Sequence, residues 1–154
     1  MNKLIFLAAS LLMNMLWLPK ASAVCSVNNP SLAFGSFSPL TGNTVDSTGT
    51  ITVTCILQLS SYTIALSPGG SGTYNPRSMT SGGNTLEYNL YTDAGYSQIW
   101  GDGTGGSVSV DGGSALLGSR NHTVYGRIPL STQRGASVGS YSDSITVTIT
   151  YGLL

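Results

Sequence analysis

Gly139-Ser-Tyr-Ser-Asp-Ser-Ile-Thr-Val-Thr-Ile-Thr-Tyr151 is the stretch that decides the fold class. From Ser144 onward it alternates without a break. Ile145, Val147, Ile149 and Tyr151 share one parity, and Ser144, Thr146, Thr148 and Thr150 share the other. Side chains of a strand change face at each residue, so this is a half-buried β-strand with one apolar and one polar face. Most of its residues are β-branched, which suits the pleated backbone. Such a strand needs a partner, and the rest of the chain must supply it or leave it open.

Working back from there, the same period recurs. In 48–56, Ile51, Val53 and Cys55 oppose Thr50, Thr52 and Thr54. In 61–66 the expected inward set is Tyr62, Ile64 and Leu66; in 86–93 it is Leu86, Tyr88 and Leu90. A further strand is expected at 122–128, with weaker ones at 98–100 and 108–110 and a short strand or bend at 75–79. Residues 25–27 and 32–37 read as one first strand interrupted at Asn28-Asn-Pro30, because proline has no N–H for a ladder. Loops are expected at 38–42, 67–72, 81–84, 93–95, 101–106 and 129–138. No stretch has a helical period. Turn residues recur at about ten-residue intervals, which points to an all-β sandwich or barrel.

The chain opens with Lys3, an apolar run from Leu4 to Leu18, and Ala21-Ser-Ala23. A charged start, an apolar stretch of this length and an Ala-x-Ala site make residues 1–23 a signal peptide. A membrane anchor would need about 20 uninterrupted apolar residues, and Asn14 and Pro19 break this run. Residues 24–154 then form one exported domain, with no membrane span after cleavage. Both lysines lie in the signal. The remaining four arginines against six carboxylates leave a net charge of −2, with no basic stripe to hold nucleic acid. In an oxidising compartment Cys25 and Cys55 read as one disulfide.

The chemistry-bearing residues are sparse. Gly101-Asp-Gly-Thr-Gly-Gly106 lacks the helix and lysine of a phosphate loop. It holds one certain oxygen ligand, Asp102, where calcium needs several, so it reads as a hairpin loop. His122 is the only histidine. No nucleophile elbow accompanies it, and the expectation is a surface histidine. One histidine with two bridged cysteines makes no zinc site. Asn121-His-Thr123 matches a short glycosylation sequon. No enzyme activity, metal or cofactor is expected. Trp100, Tyr91, Tyr96 and Tyr125 could stack on a sugar or another surface as exposed aromatics; core or cross-strand packing is the equal alternative.

Leu32-Ala-Phe-Gly-Ser-Phe37, Gly49-Thr-Ile-Thr-Val-Thr-Cys55, Leu86-Glu-Tyr-Asn-Leu-Tyr-Thr-Asp93, Ile99-Trp-Gly-Asp-Gly103, Val124-Tyr-Gly-Arg-Ile-Pro129 and Gly139-Ser-Tyr-Ser-Asp143 resemble, in order, the spore coat protein U family. That family includes subunits of archaic chaperone–usher pili. The resemblance implies an immunoglobulin-like, pilin-type β-sandwich that lacks one strand. It implies a groove filled first by a periplasmic pilus chaperone. At the outer-membrane usher, a strand from a neighbouring pilus subunit then replaces the chaperone. Residues expected to line the groove are Ile145, Val147, Ile149 and Tyr151, opposite Leu32 and Phe34. The expected product is a non-catalytic subunit of a surface pilus or coat, exported through the periplasm. The alternative is an adhesion module acting through Trp100, Tyr91 and Tyr96. With only Val24 ahead of Cys25 after cleavage, the chain is expected to accept a strand rather than donate one.

Overall fold

The computed structural model describes residues 24–38, 43–56, 61–114 and 118–151. The expected signal peptide (1–23), most of the 38–42 loop and the tail 152–154 lie outside them. In chain order the strands are β1 (Cys25–Val27), β2 (Val45–Cys55), β3 (Tyr62–Leu66), β4 (Arg77–Ser81), β5 (Asn84–Tyr91), β6 (Val110–Gly113), β7 (Gly118–Ile128) and β8 (Val147–Tyr151). A 3-10 turn spans Gly69–Ser71, and a short helix, α1, spans Leu130–Gln133.

Two antiparallel sheets form. One has five strands in the order β1-β2-β7-β5-β4, the other three in the order β6-β3-β8. The first is built around the β2–β7 pairing, continuous from Val45 opposite Ile128 to Cys55 opposite Gly118. That pairing explains why both strands run longer than their alternation alone suggested. Ile51, Val53 and Cys55 of β2 are buried, with Tyr62, Ile64 and Leu66 of β3, Leu86, Tyr88 and Leu90 of β5, and Val124 and Ile128 of β7. These sets face each other between the sheets, and each large apolar side chain taken fully from water contributes about 1.5–3 kcal/mol. The Cys25–Cys55 disulfide, Sγ–Sγ 2.08 Å, fastens β1 to the end of β2. The architecture is an immunoglobulin-like β-sandwich.

Residues 32–37 depart from expectation. They form no ladder and are not the second half of a first strand. The chain leaves β1 at Asn28, whose amide donates to Thr52 O, and crosses the inner face of the first sheet. Two glycines on neighbouring strands make the trough it lies in. A Cβ on Gly49 would meet Ser31 O at 3.1 Å and Leu32 Cβ at 3.3 Å. One on Gly126 would meet Leu32 Cδ2 and Phe34 Cζ at 2.9 Å. A segment lying over a sheet, and turning at Gly35 with φ +70°, cannot pair with that sheet's edge.

Candidate strand-binding groove

β8 has one strand neighbour among the described residues. It pairs with β3 from Tyr62 opposite Tyr151 to Leu66 opposite Val147. The ladder continues one step, with the Ser67 amide donating to Thr146 O at 2.9 Å. Antiparallel residues alternate between directing N–H and C=O at the partner and directing both away. Thr146, Thr148 and Thr150 therefore serve β3, and the backbone groups of Ile145, Val147 and Ile149 point to the open side. The same residues that turn apolar side chains inward carry the unpaired main chain.

Beside this edge lies a cavity of about 780 Å³. Leu32, Phe34 and Phe37 form one wall, and Ile145 and Val147 the other. Ile51, Leu66, Leu86, Leu90, Val124 and Ile128 form the floor. Ile145, Val147, Leu32 and Phe34 are half-buried and packed against the core without being covered. Ile149 and Tyr151 are also half-buried but do not line the cavity. At the rim, Val138 is fully exposed.

A polar framework that the sequence did not advertise holds the groove's closing side. Arg77, 0% exposed, sits at the start of β4. Its Nε and Nη2 donate to Ser67 O at 3.1 and 2.9 Å, Nη2 also to Trp100 O at 2.7 Å, and Nη1 to Asn89 Oδ1 at 2.8 Å. Burial pulls the guanidinium below its ordinary pKa, against Tyr88, Tyr74 and Asp143, which favour the charge. Because Arg77 holds Ser67 O, the Thr146 amide donates instead to Ser67 Oγ at 2.9 Å. Asp143 accepts from Tyr88 Oη at 2.7 Å, Gly70 N at 2.9 Å and its neighbour Ser144 N at 2.8 Å. Burial, then the Asp143 bond, raise the Tyr88 phenol well above its ordinary value. One step earlier, Ser142 bridges Thr80 of β4. The closing segment thus touches the first sheet before it crosses to the second.

The other candidate residues fall elsewhere. Trp100 is not exposed. It is 1% accessible, and its Nε1 donates to Ile64 O at 3.0 Å, inside the core. Tyr91 and Tyr96 do come together, with Tyr125, on the outer face of the first sheet. His122 is half-buried rather than exposed. It shares the inward parity of Val124 and Ile128, and its Nε2 lies 2.8 Å from Tyr62 Oη. Burial, with Arg120 second, pushes its pKa below the usual value. Asp102 closes its own loop by accepting from Thr104 N and Oγ1. Among the described residues no three His, Cys, Asp or Glu side chains group as metal ligands, and no helix is long and apolar enough to cross a membrane.

No curated protein matches the chain in sequence. Among solved structures, it resembles a chain from the pre-assembly complex of chaperone and tip adhesion subunit of the archaic chaperone–usher Csu pili of Acinetobacter baumannii. The TM-score is 0.58 at 19% identity, over 83% of this chain and 40% of that one. At that identity the likeness is one of fold, and this chain spans well under half of its counterpart. The Spore Coat Protein U domain model matches residues 11–148, and with nearly the whole chain inside that match, the protein belongs to the spore coat protein U domain family.

Proposed function

We propose that this protein is an exported, non-catalytic subunit of a surface pilus or coat, completed by a β-strand from another chain. The observation that carries this reading is the unpaired outer edge of β8 beside an apolar cavity of about 780 Å³. An extended segment laid along β8 would take up the outward N–H and C=O groups of Ile145, Val147 and Ile149. Its alternate side chains would enter the space between Phe34 and Val147. Main-chain bonds supply affinity in such an addition, and pockets supply selectivity. An open edge with apolar residues behind it invites aggregation, so the subunit needs an occupant from export onward. In this reading a periplasmic chaperone fills the edge first. A neighbouring subunit replaces it at an outer-membrane usher, and residues 1–23 direct export.

The test is thermal melting of the purified protein with synthetic strand peptides of alternating apolar residues, and with scrambled controls. A peptide at a hundredfold excess over its dissociation constant adds about 2.7 kcal/mol to stability. A rise in Tm specific to the alternating pattern is expected. Neither peptide nor chaperone raising Tm, or amide exchange showing the Val147 and Ile149 N–H groups already protected in the free protein, would overturn the reading.

A further inference from the structure

The outer face of the first sheet carries a second built cluster, whose Tyr91, Tyr96, Tyr125, Arg127 and Asp46 do not line the groove. Tyr91 ends β5, Tyr125 lies opposite it on β7, and Tyr96 comes from the loop between β5 and β6. The Tyr96 ring meets Tyr91 at 5.4 Å and 89°, and Tyr125 at 6.5 Å and 84°. The Arg127 guanidinium lies over the Tyr96 ring, 3.5 Å from its centroid. Arg127 in turn donates through Nε and Nη2 to both carboxylate oxygens of Asp46, at 2.7 and 2.8 Å.

The three tyrosines are half-buried at the surface, and the cluster is fixed in place. The Arg127 and Asp46 side chains are 33% and 41% exposed. Tyr96 is the non-glycine residue with positive φ, +56°, among the described residues. A side chain seldom adopts that conformation without being held there. Asp93 holds it, accepting from Gly95 N, Ser97 N, Ser97 Oγ and Gln98 N. Beside Tyr125 on the same face, Thr48 and Thr50 of β2 and Thr123 of β7 present further exposed hydroxyls.

The chemistry selects a class of ligand. The electron-rich face of an aromatic ring takes the C–H face of a pyranose. An ion pair exposed at its flank offers donors and acceptors side by side, as a pair of ring hydroxyls requires. The Arg127 and Asp46 charges cancel, and the Asp93 carboxylate is engaged by its own loop's N–H and O–H groups, so an anionic or cationic partner meets no free opposite charge here, whereas a neutral one meets donors and acceptors. The hydroxyl row continuing from the aromatic platform favours several linked rings over one. We propose that Tyr91, Tyr96 and Tyr125, with the Arg127–Asp46 pair, form a binding site for a neutral oligosaccharide.

The test is an array of neutral and charged oligosaccharides probed with the full chain. The best neutral binder is then titrated by amide-resolved NMR. Binding of a neutral glycan is expected, with shifts at Tyr91, Tyr96, Tyr125 and Arg127. Tyr91→Ala is expected to weaken binding roughly 2- to 10-fold, the range of one aromatic contact. Arg127→Lys keeps the charge but loses the planar fork, and is expected to weaken binding with the fold intact; it decides the matter if Tyr91→Ala does not fold. Thr148→Ala, on the other sheet, should bind as the parent does. The proposal fails if no neutral oligosaccharide binds, if the shifts map elsewhere, or if Arg127→Lys binds like the parent. Binding of charged glycans alone also refutes it.

Discussion

Replacing Arg77 with methionine tests the framework behind the groove. The side chain is 0% exposed, and its hydrogen bonds run to Ser67 O, Trp100 O and Asn89 Oδ1. Asn89 Oδ1 keeps a second donor, the Leu90 amide, so the substitution strips one buried carbonyl, Trp100 O, and one half-buried, Ser67 O. Each unsatisfied acceptor costs about 1–3 kcal/mol, roughly 2–6 together. Methionine removes a desolvated cation, which offsets part of that cost. A net loss of about 2–4 kcal/mol is expected, a large share of the ~5–15 kcal/mol that holds a domain together. Urea unfolding followed by Trp100 fluorescence measures it. Because Arg77 fixes Ser67, and Ser67 Oγ receives the Thr146 amide, strand-peptide affinity should fall in parallel. A loss under about 0.5 kcal/mol, with peptide affinity unchanged, would refute the claim that Arg77 organises the closing side.

Three further outcomes follow from the same geometry. Serine at both Cys25 and Cys55 should cost about 3–4 kcal/mol on the chain-entropy account of a loop this size (sequence separation 30), read as a lowered Tm that added reductant no longer changes. His122 has a pKa depressed in the folded state, so the unfolded chain takes up a proton that the native chain resists. Its contribution to stability is full above the ordinary value of 6.5 and is lost as pH falls below it; His122→Gln should flatten that part of a stability–pH profile, and an unchanged slope would count against the assignment. Gly126→Ala places a methyl against Leu32 Cδ2 and Phe34 Cζ and should cost about 1–3 kcal/mol by forcing both aside, seen as a lower urea midpoint; a neutral result would mean the 32–37 segment yields freely.

Much of the sandwich was legible because alternation reports faces directly. Tyr62, Ile64 and Leu66 were assigned inward from period two alone, as were Leu86, Tyr88 and Leu90, and they are buried. Ile145 and Val147 were placed at the groove by the same rule together with the family resemblance. Alternation does not report depth or partner. Arg77 shares a face with Met79 on β4, a parity that could have marked it as inward, yet its charge argued for the surface. His122 had the parity of Val124 and Ile128, yet its polar neighbours Arg120 and Asn121 argued for the surface. Trp100 was beyond the pattern, since it lies in an isolated bridge rather than a strand. The 32–37 segment carries a strand's composition, but Gly49 and Gly126, distant in sequence, make the trough that draws it off the sheet edge. The Tyr96 cluster depended on a loop conformation fixed by Asp93, which no local period encodes.

The order of the second sheet has a kinetic consequence. β3 lies in the first half of the chain and β8 near its end, yet they are direct neighbours. The longest ladder, β2 with β7, also joins distant parts of the sequence. Non-local pairings of this kind slow folding, since loop closure precedes the contacts that reward it. The polypeptide therefore spends its early life with its β-formers unmatched and its greasy stripes wet. Escort during that interval matters as much to such a chain as the final shape it reaches.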